Sequence, residues 1–197
     1  MSSTGPTEGT DRRNPLAAFL RDWTVDDAAR LLDLVGASSG LRNQFGAQQL
    51  TTVGECEQFI CSTYAPGQES QRHFAIELNG QLVGNIGLTH IDRTHEMAWV
   101  SYWVGAEARG HQLATRGLIT ACDWAFRKAG LFRLELGHRV NNPASCVVAG
   151  QAGFVTEGVE RAKLKYGSER FDVELHARLA TDPEPDHTGL GKLPYLG

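Results

Sequence analysis

The sequence predicts one α/β domain on a mixed β-sheet whose N-terminal half is antiparallel. A chain of 197 residues with 41% hydrophobic content is long enough to build one core. Residues 74–78 alternate between apolar and other side chains, and the hairpin pair Asn79-Gly80 separates them from a returning strand at 81–91. After Gly105 the apolar period lengthens from that of a strand to that of a helix.

We predict the elements in the order in which their patterns occur. Strands are expected at residues 16–23, 74–78, 81–91, 96–104, 131–136, 154–159 and 170–179. Helices are expected at residues 26–35 and 55–64, along an apolar stripe that ends at Gly130, and from the N-cap Asn142 through Pro143 to the stop at Gly153. Residues 1–14 are predicted to be disordered and 182–197 to form a tail, which leaves one domain over 15–181.

Composition narrows the classes of function. With 19 basic and 23 acidic residues the net charge is −4, which argues against direct nucleic-acid binding, so an anionic ligand needs a local basic cluster. The four cysteines form no CxxC pair and no disulfide framework, and Cys122 and Cys146 are predicted as buried thiols. The seven histidines lack HxH or HExxH spacing, so no metal site is expected. Without an apolar N-terminal run we predict a cytoplasmic protein with no membrane span.

The segment from Tyr102 to Arg116 carries the most chemistry. A strand ends there, a turn contains Arg109-Gly110, and a long helix begins. Unpaired N–H groups at a helix start point along the positive end of its dipole and bind phosphate. Arg109, Arg116 and His111 add positive charge. An ordinary turn with solvated arginines remains the alternative, and the P-loop and Rossmann glycine patterns are absent.

This segment resembles the acetyl-CoA motif of the GNAT superfamily, in which Arg or Gln, two residues, Gly, one residue, then Gly or Ala open the long helix. The motif's central Gly falls at Gln112 in this chain. The wider resemblance, over about residues 20–179, is to the RimJ/RimL-like branch, the ribosomal-protein N-terminal acetyltransferases. It rests on four features: Ser101 to Val104, Arg109-Gly110 with Ala114-Thr115, Asn142 to Ser145, and Gly153-Phe154 followed by Glu157-Gly158.

The resemblance implies a GNAT-like fold with helices on both faces and splayed fourth and fifth strands, where an amine attacks the thioester of acetyl-CoA or another short acyl-CoA directly. The pantetheine arm would pair with backbone groups near residues 103–105, and a backbone N–H would stabilise the oxyanion. The implied cofactor-binding residues are Trp103, Val104, Gly105, Arg109, Gly110, His111, Gln112, Leu113, Ala114, Thr115, Arg116, Asn142 and Ser145.

The resemblance also implies the candidates for proton transfer. The tyrosine acid of many GNAT enzymes falls at Ala149, so the acid would be Ser145, the serine of the Asn-x-x-Ser pattern. The base position of the RimL-like branch falls at Leu164, which cannot serve. Three other residues, on or next to predicted strands, are candidates for the base. They are Glu96 at the start of the fourth strand, His138 after the fifth and Glu157 on the sixth.

The acceptor remains open between a protein N-terminus and a small-molecule amine. Because no strong base is evident, we expect an α-amine, with a pKa of about 7.7–8.0, to suit the chain better than lysine at about 10.4. The loop at 42–49 is expected to border the acceptor, and Asp172 could steer a cationic acceptor or cap a turn. A homodimer is possible by resemblance. Two alternatives remain, an idle acyl-CoA-binding or sensing module and an unrelated nucleotide-binding α/β domain.

Overall fold

The computed structural model describes residues 17–45, 48 and 50–192. Strands in this part of the chain are β1 Ala18–Arg21, β2 Arg72–Leu78, β3 Gln81–Asp92, β4 Met97–Val104, β5 Arg133–Arg139, β6 Val155–Tyr166, β7 Glu169–Leu179 and β8 Gly191–Lys192. Helices are α1 Ala28–Ala37, α2 Ser39–Arg42, α3 Val53–Phe59, α4 Leu113–Arg127 and α5 Pro143–Gln151. A π-helical turn at Ile60–Tyr64 continues α3, and short 3-10 turns cover Val25–Asp27, Asn43–Phe45 and Ala106–Ala108.

The strands form one mixed sheet in the order β6-β7-β5-β4-β3-β2-β1-β8. Each of the strands β1 to β4 pairs antiparallel with the next one in this series, which confirms the predicted meander. Strand β5 runs parallel to β4 and antiparallel to β7, which in turn pairs with β6. The mixed α/β class and the order of elements from β1 to β7 are therefore as predicted.

Helices cover both faces of the sheet, and each face has its own apolar core. Helices α4 and α5 pack on one face against a cluster that includes Ile86, Val100 and Leu134. Helices α1 and α3 pack on the other face against a cluster centred on Trp23, Tyr64 and Trp103. Alternate residues of β4 therefore contribute to opposite cores, as the two-residue period of a strand requires.

Helix boundaries follow local capping chemistry. Thr52 caps α3 by accepting a hydrogen bond from the Glu55 N–H at 3.2 Å, and the Glu55 carboxylate accepts from the Thr52 N–H in return. The Asn142 amide oxygen accepts from the Ser145 N–H at 3.3 Å, and Pro143 opens α5 as predicted. Gly130 and Gly153, predicted as helix stops, both adopt positive φ, at 67° and 84°.

The C-terminal segment needs a correction. Residues 182–197 were expected to form a tail, yet β8 pairs parallel with β1 and the Leu190 side chain is buried. The Leu190 N–H donates to the Arg116 carbonyl at 3.2 Å, and the Thr120 hydroxyl donates to the Leu190 carbonyl at 3.0 Å. Leu190 is the one apolar residue other than Pro and Gly in residues 182–192, and this pattern is too weak to predict a strand that consists of two residues.

The end of one strand also differs from the prediction. Strand β6 extends to Tyr166, well past the predicted end at residue 159, because its register shifts between Glu160 and Leu164 and hides the alternation. The predicted disordered N-terminus, the first residue of the predicted first strand and the last five residues of the predicted tail lie outside the described residues. Within the described ranges, helices fall short of the combined length and apolarity that crossing a membrane requires.

Candidate active site

The fourth and fifth strands separate partway along their length. They pair only where Met97, Ala98 and Trp99 face residues 133–135, and beyond Trp99 the ladder stops. This confirms the splay that the resemblance implied. The gap opens at the end of the sheet where β4 leads into α4 and β5 leads into α5.

The backbone of β4 has free hydrogen-bonding groups along this gap. The Gly105 N–H donates to the Val83 carbonyl at 2.8 Å, so residues 101, 103 and 105 direct their peptide groups toward β3. The alternate residues Val100, Tyr102 and Val104 therefore direct theirs toward the gap. This corrects the expected pairing of the pantetheine arm with residues 103–105, because the peptide groups of Trp103 and Gly105 already form hydrogen bonds with β3.

The turn before α4 has the left-handed backbone of a phosphate cradle. Gly110 has φ 82° and Gln112 has φ 56°. The first helical bond runs from the Arg116 N–H to the Gln112 carbonyl at 2.9 Å, so the three N–H groups from Leu113 to Thr115 precede the ladder. A left-handed residue explains why the family motif has Gly where this chain has Gln112, since only Gly adopts that φ without strain.

Two adjoining cavities of about 430 Å³ and about 290 Å³ follow this turn toward α5. Arg109 and Ala114 line both of them, and the Arg109 Nε donates to the Val104 carbonyl at 3.4 Å. Most of the predicted cofactor residues contribute to the lining. They are Trp103, Val104, Arg109, Gly110, Gln112, Leu113, Ala114, Thr115, Asn142 and Ser145. Among the described residues, three predicted cofactor-binding residues do not line either cavity: Gly105, His111 and Arg116.

Ser145 and Tyr102 lie where the larger of these two cavities meets a further cavity of about 410 Å³, called the second cavity below. The Asn142 amide donates to the Ser145 Oγ at 2.9 Å, which leaves the hydroxyl proton of Ser145 for a partner in the gap. The Tyr102 hydroxyl donates to the Ser145 carbonyl at 3.2 Å, and burial raises the pKa of this phenol. Sequence reasoning missed a role for Tyr102, although strand alternation places it with Val100 and Val104.

His138 lies within β5 rather than after it, and both its ring nitrogens are engaged. Nδ1 lies 3.0 Å from the Arg139 carbonyl, and Nε2 lies 2.9 Å from the Nε2 of His176. His138 lines the second cavity but is 7% exposed. A base must have a free lone pair within reach of the amine. The predicted role of His138 as general base therefore gains no support from its contacts.

The two predicted glutamate bases lie at the closed end of the splay. Glu96 has φ 51° in the turn before β4, and its carbonyl accepts from the Phe132 and Arg133 N–H groups. Glu157 forms an ion pair with Arg133, and that hydrogen bond lowers the pKa of the Glu157 carboxyl. Residue 133 lies where β4 and β5 still pair, so neither predicted base gains support from its contacts.

Three further positions that the sequence analysis named have contacts typical of structural residues. Ala149 is fully buried in the core. Leu164 lines the second cavity, where it can provide only apolar contact. The Asp172 carboxylate accepts from the Ala162 N–H at 2.7 Å, and Ala162 has φ 54° at the irregular stretch of β6. Asp172 therefore holds a strained turn, which is the structural one of its two predicted roles.

The second cavity has aromatic walls. Trp99 and the pair Tyr166 and Phe171 line it, and Arg139 lies over both members of that pair at 5.4 Å and 5.0 Å. Gln44, from the loop predicted to border the acceptor, also contributes, whereas positions 46, 47 and 49 of that loop lie outside the described residues. Sequence reasoning missed the aromatic residues, because β6 and β7 bring them to the site only through their hairpin.

The chain belongs to the GNAT acetyltransferase family. The family's domain model, described as an acetyltransferase (GNAT) domain, matches residues 18–155. This match covers the meander, the splay and the α4 turn described above. The protein is therefore an acetyl-CoA-dependent N-acetyltransferase, as the sequence resemblance implied.

Individual relatives agree with this placement. The chain is 25% identical over 173 residues to the probable N-acetyltransferase YjcK of Bacillus subtilis strain 168, covering 84% of this chain and 96% of the relative. It is 30% identical over 90 residues to the spermidine N(1)-acetyltransferase of Escherichia coli strain K12, covering 46% and 48%. A solved RimL, a ribosomal L7/L12 α-N-protein acetyltransferase in complex with coenzyme A, is similar in fold at a TM-score of 0.73 and 20% identity, covering 83% and 94%.

Proposed function

We propose that this enzyme acetylates an α-amine, with direct attack of the amine on acetyl-CoA in a ternary complex. The observation that supports the proposal is the meeting of two cavities at Ser145 and Tyr102. One cavity follows the α4 turn, and the other is walled by Trp99 and the β6–β7 hairpin. A thioester in the gap between β4 and β5 would face an amine from the second cavity without a covalent enzyme intermediate.

The residues present fit an acyl-CoA. The N–H groups of Leu113, Ala114 and Thr115 suit a pyrophosphate, and Arg109 supplies a cation beside them. The peptide groups of Val104 and Tyr102 face the gap, where an extended pantetheine arm could pair with them as a further strand would. Acetyl-CoA supplies an activated acyl group with a thiolate leaving group, and the chain orients it.

Ser145 is the proposed proton donor at the leaving sulfur. Its Oγ accepts from Asn142, so its own proton can pass to the thiolate while it takes the proton that the attacking amine loses. Tyr102 positions Ser145 through the hydrogen bond to its carbonyl. The N–H of Tyr102 is the proposed donor to the oxyanion, since it faces the gap beyond the last pairing of β4 with β5.

Two observations favour an α-amine as the acceptor. A lysine is about 2.5 pKa units harder to deprotonate than an α-amine, which corresponds to about 3.4 kcal/mol, and the described cavity offers no evident strong base. Glu169 is the one carboxylate among the described residues that line this cavity. A polyamine, with several positive charges, would be poorly matched by one carboxylate beside Arg139.

The test compares acceptors by release of CoA thiol. One peptide is offered with a free N-terminus and blocked lysines, the same peptide with a blocked N-terminus and a free lysine, and spermidine serves as the third acceptor. We expect the free N-terminus to be turned over best. A preference for the lysine peptide or for spermidine would overturn the α-amine proposal but leave acetyl transfer intact. Binding of acetyl-CoA without thiol release for any amine would favour the idle-module alternative.

We also propose that the enzyme works in the cytoplasm as a single domain. The four cysteines are free thiols, which suits a reducing compartment. The net charge of −4 gives no basis for a nucleic-acid partner. A homodimer remains a prediction from the family resemblance, for which light scattering of the purified protein is the direct measurement.

A further inference from the structure

Four side chains of metal-ligating types meet between α5 and the β5–β7 pair. They are His138, Cys146, Glu174 and His176, and their ligand atoms all lie within 4.8 Å of one another. The two imidazole Nε2 atoms are 2.9 Å apart. The Glu174 carboxylate oxygens lie 4.0 Å from His138 Nε2 and 3.8 Å from His176 Nε2.

The outer contacts of both histidines direct their Nε2 lone pairs toward one point. His138 Nδ1 lies 3.0 Å from the Arg139 carbonyl, which can only accept, so Nδ1 carries the proton. His176 Nδ1 lies 3.4 Å from the Thr156 hydroxyl, which donates in turn to Glu174 at 3.1 Å. Metal-bound histidines have this arrangement, in which the outer nitrogen donates to a carbonyl or an oxygen of a polar side chain.

Both imidazoles of the cluster are buried. The side chains of His138 and His176 are 6% and 2% exposed. Burial and the neighbouring His138 lower the pKa of His176. Two neutral rings cannot place two lone pairs 2.9 Å apart without a proton or a cation between them. A cation would also satisfy the Cys146 thiolate and the Glu174 carboxylate.

We propose that His138, Cys146, Glu174 and His176 form a site for a divalent cation of zinc type. Two imidazoles, one thiolate and one carboxylate are a ligand set that suits Zn²⁺ and disfavours Mg²⁺ or Ca²⁺. Tetrahedral zinc holds such atoms about 3.3–3.7 Å apart, so the two Nε2 atoms would move slightly apart and the Cys146 and Glu174 ligand atoms would move inward by about 1 Å. Binding releases the thiol proton of Cys146 to solvent, and the two neutral imidazoles bind through Nε2 with their protons on Nδ1.

The site is structural in type, because four protein ligands leave no open position for substrate. Its ligands come from β5, α5 and β7, and the two histidines are 38 residues apart in the chain, which is why histidine spacing alone predicted no metal. Cys146 follows Ser145 directly, so the ion would tie the first turn of α5 to the sheet beside the gap. This consequence rests on the proposed function, whereas the binding itself does not.

The test uses the full chain, freed of metal with a chelator, and does not measure acetyl transfer. Zn²⁺ is titrated against a chromogenic chelator, and Co²⁺ is added as a spectroscopic probe. We expect one equivalent of Zn²⁺, and for Co²⁺ a thiolate charge-transfer band together with tetrahedral d–d bands. Cys146→Ser should remove the charge-transfer band and weaken Zn²⁺ binding by more than about tenfold. Cys61→Ser, which changes an exposed thiol, is the matched control and should alter neither.

A second measurement on the wild-type chain guards against a variant that fails to fold. Alkylation followed by mass spectrometry compares labelling with and without Zn²⁺. We expect Zn²⁺ to protect Cys146 while Cys61 still reacts. Binding of less than one equivalent, a Co²⁺ spectrum without thiolate character, or equal labelling of Cys146 with and without Zn²⁺ would overturn the site.

Discussion

At the scale of single residues, the strained backbone of Gln112 has a measurable cost. Its φ of 56° places a side chain where the family motif has glycine, and a left-handed non-glycine residue costs about 1–2 kcal/mol. We expect Gln112→Gly to raise the free energy of unfolding by about 1 kcal/mol in urea titrations, after the added chain entropy of glycine is subtracted. Acetyl-CoA affinity should stay within about twofold, because the cradle uses backbone N–H groups.

Gln112→Ala is the matched control, because alanine keeps the Cβ atom and hence the strain. Its stability should lie within about 0.5 kcal/mol of the wild type. A glycine variant no more stable than the alanine variant would show that the left-handed backbone of Gln112 carries no net cost.

Ser145 is the residue whose loss separates chemistry from binding. If it donates the proton to the leaving thiolate, Ser145→Ala should lower kcat about a hundredfold and change the KM for acetyl-CoA little. Asn142→Ala instead removes the N-cap of α5 and should also cost about 1 kcal/mol of stability. Steady-state kinetics with unfolding curves check both. A Ser145→Ala enzyme with unchanged kcat would assign Ser145 to the helix start alone.

At the scale of elements, the α4 turn separates two arginines that the sequence grouped together. Arg109 lines both cavities that follow the α4 turn, whereas Arg116 lines neither. The backbone carbonyl of Arg116 accepts a hydrogen bond from the Leu190 N–H. An exposed cation beside a phosphate contributes about 1 kcal/mol, so Arg109→Ala should weaken CoA binding about fivefold in calorimetric titrations. Arg116→Ala should leave it within about twofold. Equal losses in both variants would contradict the lining seen here.

The same element shows how far the sequence could predict the site. Gly105, Arg109 and the start of α4 follow from turn chemistry and periodicity, which are local and were predicted. The closing of β6 and β7 over Trp99 depends on a hairpin with an irregular register, and local patterns do not encode where such a hairpin lies. Glu96 and Glu157 were plausible by residue type. Whether they reach the site depends on which end of β4 stays paired with β5.

At the scale of the whole molecule, long-range contacts decided what the sequence could not. Leu190 joins one core only when β8, the last strand, pairs with β1, the first strand. The cluster of His138, Cys146, Glu174 and His176 likewise needs three elements to pack before any spacing becomes visible. Periodicity predicted the apolar faces of single helices and strands, but not their division between two cores.

The pH dependence of stability should report the buried histidines of the whole fold. His73 is 6% exposed and stacks on Tyr64, and burial lowers its pKa from 6.5 to about 4, against a weaker opposing hydrogen bond from Asn85. Between these values the unfolded chain binds a proton that the folded chain does not. Stability from His73 is therefore complete above pH 6.5 and falls as the pH decreases toward 4, by about 3 kcal/mol at most.

The pKa of His176 is also lowered, chiefly by burial, so its contribution has the same sign. Urea titrations from pH 7.5 to 4 with a chelator present measure the sum without bound metal. His73→Gln keeps a neutral polar side chain at every pH and should flatten the decline, whereas His187→Gln in the C-terminal segment should not. A His73→Gln variant with the wild-type slope would mean that His73 takes up its proton equally in the folded and unfolded chains, and the buried imidazole would then place no limit on acid stability.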